Sequence, residues 1–256
     1  MTPQTEQMAS SIGAWLELLP SAIAALFSLS ALGYFVGWRE ANSYYTALGA
    51  AWAAASVSPL ALLQLSASTI VTVAAAAFFS LILVLDHKVS LRKLSWFCAA
   101  CLGIAGILLA ASQGLFGYAP PSGAHILASV GSQFFAISAG VTLSELIGHI
   151  RQSSQPISSG HLWLIYWFVL PGLFWAPDRL GEARAIRDAE PLSSPLPVVE
   201  LDSSLQPSDW LLVQLVGDKA ILMMLADEAH NRRFRMVEVQ DVKAFGSTLK
   251  PPVAKK

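Results

Sequence analysis

The distribution of charge is the feature that most constrains this chain. From Ser11 to Asp178 only ten side chains are Asp, Glu, Lys or Arg, whereas residues 179–256 carry 11 basic and 11 acidic side chains. A water-soluble fold cannot cover so long an uncharged stretch, but a bilayer favours helices of about 20 apolar residues. The sequence therefore predicts a multi-pass helical membrane domain followed by a small polar domain.

The predicted membrane domain covers residues 18–177, after an N-terminal segment, 1–17. Its apolar stretches lie at about 18–38, 60–85, 94–115, 124–150 and 161–177. Residues 1–10 contain no Lys or Arg, so we interpret the first stretch as a retained span and not as a cleaved signal peptide. Ser, Gln and Thr dilute the stretch 124–150, so the bundle has four spans if that stretch lies on the membrane surface and five if it crosses.

Two segments of the chain are expected to lie outside the spans. Residues 39–58, which hold several aromatic side chains and a break at Gly49, are predicted to form an interfacial helix or a re-entrant segment. Residues 178–196 are rich in Pro, Ser and charge and read as a linker containing a short polar helix at 181–188.

Strand-like periodicity begins near Val198. Short runs rich in Val, Leu and Ile, with a tight-turn signal at Gly217-Asp218, predict a four- or five-strand antiparallel meander or small half-open barrel over 197–247, before a tail, 248–256. The fold class predicted is thus a membrane α-helical bundle of four or five transmembrane helices plus a small C-terminal antiparallel β domain. A domain of about 50 residues is close to the lower limit for an independent core, so it is expected to need the bundle or an oligomer.

Basic residues in short loops predict the orientation of the bundle. The loop Asp86–Lys93 holds three basic residues and should be cytoplasmic, which also places the N-terminus in the cytoplasm. A crossing 124–150 helix then puts the β domain outside, and a surface helix puts it inside. Three arginines at 179–187 favour the cytoplasmic alternative, which we take as the prediction.

Small side chains repeat along the third stretch at Ala99, Gly103, Gly106 and Ala110. This spacing places them on one helix face and is typical of membrane helices that approach closely. The seam is expected either to pack within the bundle or to mediate a homo-oligomer.

A polar face is predicted on the fourth stretch at Ser138, Thr142, Glu145 and His149. Ionisable groups inside a span point to proton or ion pathways. The alternative is a solvated helix end, since Glu145 and His149 lie close to one end of the stretch.

Aromatic and basic residues outside the spans are the predicted contacts for a protein partner. They are Tyr44, Tyr45, Trp52, Trp210, Arg232, Arg233, Phe234 and Arg235. The Arg-rich run could also bind acidic lipid head groups, but neighbouring acids offset it, and a solvated loop is the simpler reading. Nucleic-acid binding is not expected at a net charge of −1.

Signatures of catalysis and cofactor binding are missing from the sequence. There is no GxSxG, HExxH, Walker A or GxGxxG pattern, and the five His are scattered. Cys98 and Cys101 form a CxxC inside an apolar helix without a basic neighbour, where packing is the simpler role. We expect no enzyme activity, no cofactor and no metal.

The segment Gly33-Tyr34-Phe35-Val36-Gly37-Trp38, followed by Tyr44-Tyr45 and Gly49, resembles a pattern found in uncharacterised bacterial multi-span inner-membrane proteins that end in a small β domain. The match covers about 20 residues, and the Ala-rich segment after Gly49 departs from it. The resemblance implies a bacterial inner-membrane protein without catalysis, and some such proteins look like membrane components of toxin-immunity or defence gene pairs.

Three functions are compatible with these features. The favoured hypothesis is a non-enzymatic membrane protein that acts through a protein partner or by oligomerisation, as in a toxin-immunity or anti-phage pair. The alternative is a small oligomeric channel or transporter built on the polar face. An intramembrane enzyme is the third, and it would have to use Glu145 and His149.

Overall fold

Runs of Ala, Leu and Ile with few Gly or Pro residues make helix the dominant structure. The computed structural model describes residues 3–86, 89–114, 121–152, 163, 165–190, 194–201, 210–226 and 231–246. The helices are α1 (Pro3–Leu48), α2 (Pro59–Leu85), α3 (Leu91–Ser112), α4 (Pro121–Gln152) and α5 (Ala176–Asp188), with a 3-10 helix at Ala51–Ser56.

Helix α1 continues without a break through the segment that we expected to be interfacial or re-entrant. It ends where Gly49 adopts a left-handed φ of 95°. The amide of Gly49 donates to the carbonyl of Thr46 (3.0 Å) and that of Ala50 to the carbonyl of Tyr45 (2.8 Å), which is a Schellman motif. Gly49 is therefore a helix stop, and residues 39–48 extend α1 beyond its predicted span.

Three of the helices are long and apolar enough to cross a membrane, among the residues that the structure describes. These stretches are Pro59–Leu85, Arg92–Ser112 and Gly123–Gly148, and they coincide with the predicted stretches 60–85, 94–115 and 124–150. The protein is therefore a membrane-embedded helical bundle with three candidate spans, and the two further spans, at 18–38 and 161–177, stay predictions.

Helix α4 packs against both α2 and α3. Its Glu145 accepts a hydrogen bond from Ser95 near the start of α3. At its other end, Ser132 donates to the carbonyl of Ala176, the first residue of α5 (3.3 Å). Helix α4 is thus held between two candidate spans and is itself long and apolar enough to cross, which favours the alternative in which 124–150 crosses the membrane.

The segment before α5 is wound as π-helix at Ile165–Val169 and Pro171–Trp175. Pro171 lacks an amide hydrogen and its ring crowds the preceding turn, and a wider turn relieves that conflict. The chain then continues as α5, which packs along α1. Residues 176–188, most of which we assigned to a linker, are thus a packed helix whose Gly181, Ala183 and Ala185 are buried.

Five antiparallel strands form the C-terminal sheet: β1 (Val198–Leu201), β2 (Trp210–Val216), β3 (Lys219–Met224), β4 (Arg233–Glu238) and β5 (Val242–Gly246). Their order is β4-β3-β2-β1-β5, so β5 pairs with β1 and not with β4 as a simple meander would require.

The sheet must curl, because its two edge strands are consecutive in the chain. Only the 3-10 turn Val239–Asp241 joins β4 to β5. Four strand spacings in a flat sheet span about 19 Å, more than the roughly 10 Å that such a turn bridges. The expected half-open barrel is thus the geometry that the strand order requires.

Both faces of strand β3 are buried. Ala220 and Leu222 face an inner cluster with Val199 and Val237. Ile221 and Met223 face an outer cluster that contains the end of α1, including Tyr45 and Leu48. The β domain therefore shares its outer core with the helical bundle, as its small size led us to expect.

Gly181 sets the distance between α1 and α5. A Cβ at Gly181 would overlap the carbonyl oxygen of Glu40 and lie 3.0 Å from the amide nitrogen of Tyr44. We expect Gly181→Ala to lower the free energy of unfolding by about 1–3 kcal/mol, because backbone must move to admit the methyl group. Thermal or denaturant unfolding in detergent would measure this.

The matched control is Gly103→Ala on α3, where a Cβ would have no neighbour within 4 Å. That variant should match the wild type or gain up to about 1 kcal/mol from helix propensity. Equal effects at the two glycines would contradict the close approach of α1 and α5.

The course of the helices places the β domain at one end of the bundle and the α2–α3 loop at the other. A topology reporter inserted between Asp86 and Val89 and one fused after Lys256 should therefore report opposite sides of the membrane. Compartment-specific phosphatase and fluorescent-protein fusions provide the measurement. The same side for both reporters would refute the packing of α4 as a crossing helix.

Candidate functional site

Glu40 and Tyr44 lie one helical turn apart on α1, so both side chains point toward α5. The close approach at Gly181 brings the C-terminal half of α5 over this face. The guanidinium of Arg184 lies 3.7 Å from the Glu40 carboxylate and 5.4 Å from the centre of the Tyr44 ring. A buried carboxylate, a phenol and a guanidinium therefore meet where α1 and α5 cross.

Asp188 is the second buried carboxylate of this site. Its Oδ2 accepts a hydrogen bond from the Tyr44 hydroxyl (3.0 Å), and its Oδ1 accepts two from Arg187, from Nε (2.9 Å) and Nη2 (2.7 Å). A negative charge at a helix C-terminus is unfavourable. The two partners offset that cost and fix the Asp188 side chain in place.

The β domain closes the site through Gln214 on β2. The hydroxyl of Tyr45 donates a hydrogen bond to Gln214 Oε1. This hydrogen bond uses the Oε1 atom of Gln214, so its amide NH2 group can donate to another group in the site. Helix α1 thus contacts α5 through Tyr44 and the sheet through Tyr45.

A partly open cavity of about 340 Å³ lies between these elements. We call it the junction cavity. It is lined by Glu40, Ala41, Tyr44, Tyr45, Ala61, Gln64, Leu65, Arg184, Asp188, Leu196, Val213 and Gln214. Its volume is at the lower end of the range for small-molecule pockets, about 300–1,000 Å³, and its walls combine aliphatic and charged side chains as such pockets do.

Burial dominates the proton affinity of the groups in this site. It raises the pKa of Glu40 to about 7, against a smaller opposing effect of Arg184. Burial likewise raises the pKa of both tyrosine hydroxyls, and the nearby Asp188 adds to the shift at Tyr44. The tyrosines are therefore neutral donors at physiological pH, and Glu40 is the group that changes charge.

Arg232, which we predicted to contact a partner, instead caps α1. Its Nη1 donates to the carbonyl oxygens of Ala47 (3.4 Å) and Leu48 (3.3 Å). A cation at the C-terminus of a helix interacts favourably with the helix dipole. This contact joins the β4 end of the sheet to the junction.

The other predicted partner residues divide between core and surface. Tyr44 and Tyr45 are buried, and Phe234 packs against the same cluster, so these three are not a free surface. Trp52 is exposed, Trp210 is half-buried, and Arg233 and Arg235 are exposed on β4. Tyr44, Tyr45 and Phe234 were predicted to be partner contacts because aromatic residues beside a span are common both on binding surfaces and at contacts between domains. The sequence alone does not separate these two positions.

The predicted polar face of α4 is turned toward α3. Ser138 Oγ donates to the carbonyl of Cys98 (3.3 Å), Thr142 Oγ1 donates to the carbonyl of Ser138 (2.9 Å), and Glu145 pairs with Ser95. Ser138 and Thr142 are buried, so this part of the face lies in a helix–helix contact. The side chain of His149 is outside the described part of the chain.

The small-residue face of α3 is largely open toward the residues that the structure describes. Among those residues a Cβ at Gly103 or Gly106 would meet nothing within 4 Å, and Ala99 is exposed, while Ala110 is half-buried. The face that packs on α4 instead carries Cys98 and Leu109. This placement favours the homo-oligomer over packing within the bundle, and both alternatives stay predictions.

The groups at the junction are suited to binding and proton exchange. Among the described residues no three His, Cys, Asp or Glu side chains are placed to hold a metal ion. Cys98 and Cys101 are free and buried. The groups that line the junction cavity supply charge and hydrogen bonds but include no Ser, Cys or His nucleophile.

Sequence reasoning missed Glu40, Arg184, Asp188 and Gln214. A local signal existed, since Arg184 and Asp188 lie four residues apart and so share a helix face. What the sequence does not encode is that this face meets Glu40, which is 144 residues earlier in the chain. The same separation joins Tyr44 to Asp188.

Comparison with known proteins finds no match: no family model, no curated protein and no solved structure is similar to this chain. The resemblance to bacterial multi-span proteins stays a prediction. Function is therefore inferred from the residues and contacts of this chain alone.

Glu40 should make stability depend on pH. Its pKa is about 7 in the folded protein and 4.5 ordinarily, so the folded state holds a proton that the unfolded state releases between these values. Stability is greatest below the lower value and falls by about 3 kcal/mol as pH rises through 7. Glu40→Gln, which stays neutral, should lose this dependence and exceed the wild type in thermal stability at pH 8.

The comparison is made on detergent-solubilised full-length protein at pH 5 and pH 8. Asp178, whose pKa is also raised by burial, is present in both proteins, so the difference between them isolates Glu40. A variant that loses as much stability as the wild type between the two pH values would disprove the assignment.

Proposed function

We propose that this protein is a non-enzymatic membrane protein that acts through a protein partner, which it binds at the β4 edge of its C-terminal sheet. The observation that carries the proposal is the rigid attachment of this sheet to the bundle. Tyr45, Arg232 and the outer sheet core all hold it against the end of α1. A sheet fixed in this way presents the same edge in the same orientation at the membrane surface.

The β4 edge has the properties of a docking strand. Within the described residues β4 pairs only with β3, so its other edge leaves backbone donors and acceptors unpaired. Arg233 and Arg235 are exposed on one face and Met236, 36% exposed, lies on the other. Such an edge suits an extended partner segment with acidic side chains at alternate positions, bound by strand addition.

Charged residues on an edge strand have a second role, which is to prevent aggregation. That role predicts no partner. Detection of a specific protein bound at this edge would distinguish partner docking from protection against aggregation.

The channel alternative is less well supported than partner binding. Its motivation was the polar face of α4, and Ser138 and Thr142 of that face contact α3. Gln133 and Thr72 similarly bond to each other between α4 and α2 (2.6 Å). These polar groups serve as hydrogen-bonded contacts between helices, a common use in membrane bundles.

The proposed location is the bacterial inner membrane, with the Asp86–Lys93 loop and the N-terminus in the cytoplasm. With α4 and residues 161–177 both crossing, the β domain then lies on the exterior side, and the cytoplasmic side that we predicted is the alternative. An exterior partner fits a protein that meets an arriving agent, such as the toxin of an immunity pair. The two topology reporters described above test this assignment directly.

A photo-crosslinking residue at Met236 tests the docking strand in living cells. We expect one dominant crosslinked protein, joined through an acidic extended segment identified by mass spectrometry. Changing Arg233→Glu and Arg235→Glu together should remove most of that product, because like charges across the new strand pair repel. The amount of crosslinked product in the double variant, relative to the wild type, is measured by immunoblotting.

The control is the single charge reversal Lys219→Glu on the neighbouring strand β3, which should leave the product unchanged. If the only crosslinked product is a second copy of the same chain, the partner hypothesis is wrong and the edge mediates homo-oligomerisation. Equal crosslinking in the double variant and in the control would rule out charge recognition at β4.

A further inference from the structure

We propose that the junction cavity is a binding site for a small zwitterion of the α-amino acid type, with its ammonium group on Glu40 and its carboxylate on Arg184. This goes beyond partner binding at β4 and rests on a different part of the molecule. Both side chains leave hydrogen-bonding capacity unused within the described part of the chain.

Glu40 is only 5% exposed, yet its carboxylate makes no hydrogen bond with any described residue. Its one partner is Arg184, at 3.7 Å, which is an ion pair beyond hydrogen-bond distance. A buried carboxylate normally accepts several hydrogen bonds, and leaving them unmade is costly. Since Glu40 lines the cavity, a donor placed there can supply them.

Arg184 is in the complementary position. It lies over the face of Tyr44 and likewise donates no hydrogen bond within the described part of the chain. A guanidinium offers five N–H donors in a planar fork that fits a carboxylate. The stacking on Tyr44 holds this fork in place at the cavity wall.

The spacing of the two charges selects the class of ligand. In an α-amino acid the ammonium nitrogen and the carboxylate oxygens are roughly 3 Å apart, as covalent geometry requires. A Glu–Arg pair separated by 3.7 Å, with both members facing one cavity, is matched to that arrangement. A ligand with a single charge would form hydrogen bonds with either Glu40 or Arg184 and leave the other side chain without a hydrogen-bond partner from the ligand.

Other groups in the cavity support the same ligand. Asp188 is a second carboxylate in the cavity wall, and the Gln214 amide can donate to the ligand carboxylate. Leu65, Leu196 and Val213 form an aliphatic wall that suits an apolar side chain. Burial raises the pKa of Glu40 to about 7, and a bound ammonium group would stabilise its ionised form.

The experiment measures binding of L-leucine to the full-length protein in nanodiscs at pH 8 by isothermal titration calorimetry. Two probes of similar shape each lack one charge: 3-methylbutylamine has no carboxylate, and 4-methylpentanoate has no ammonium group. We expect saturable binding of leucine and affinity at least about tenfold weaker for either probe. Saturation by 3-methylbutylamine or 4-methylpentanoate with the affinity of leucine, or no binding of leucine, would overturn the proposal.

Variants assign the contacts. Glu40→Gln and Arg184→Gln should each weaken leucine binding by about tenfold or more, since each removes one charge of the pair. Arg92→Gln, at an exposed position near the start of α3, is the matched control and should bind as the wild type does. Arg184→Lys keeps the charge without the fork and should retain part of the affinity, which shows that a loss in Arg184→Gln is not a failure to fold. Unchanged binding in both Gln variants would refute the site.

Discussion

The crossing of α1 and α5 is the contact on which the rest of the structure depends. It is possible only because residue 181 is glycine, which lets the two backbones touch. At that separation Arg184 reaches Glu40 and Asp188 reaches Tyr44, so one small residue sets the distance for two polar contacts. The β domain then packs on the same stretch of α1, and its position depends on the same crossing.

Polar groups hold the bundle together in a related way. In lipid the apolar faces of helices gain little from meeting each other, so close packing and hydrogen bonds decide the arrangement. Ser144 on α4 donates to the carbonyl of Ala77 on α2 (2.6 Å), and Ser138 bonds to α3 on the other side. Helix α4 therefore lies between α2 and α3. Its Ser and Thr side chains made the span hard to recognise from sequence, and the same side chains form the hydrogen bonds that hold the helix between its neighbours.

The elements of this fold were readable from local pattern, whereas the candidate site was not. Apolar length located the stretches 60–85, 94–115 and 124–150, and the change to strand periodicity near Val198 located the sheet. Gly49 was recognised as a break in the helix. A glycine is expected both at a left-handed helix C-cap and in a re-entrant turn, so the sequence did not distinguish the two. The short polar helix expected at 181–188 within the linker is present, but it begins earlier, at Ala176. Its packing on α1 was not predicted, because Pro, Arg and Asp are also common in exposed linkers. The partners of Glu40 and Tyr45 are distant in sequence, and no periodicity connects them.

The cap on α1 has a consequence for how the chain is made. Arg232 reaches the Ala47 carbonyl across a sequence separation of 185 residues. The C-terminal end of α1 is therefore capped by a residue that is synthesised long after the helix itself. A chain that stops short of β4 leaves the last carbonyls of α1 without this cap, even though α5 already covers Glu40 and Tyr44.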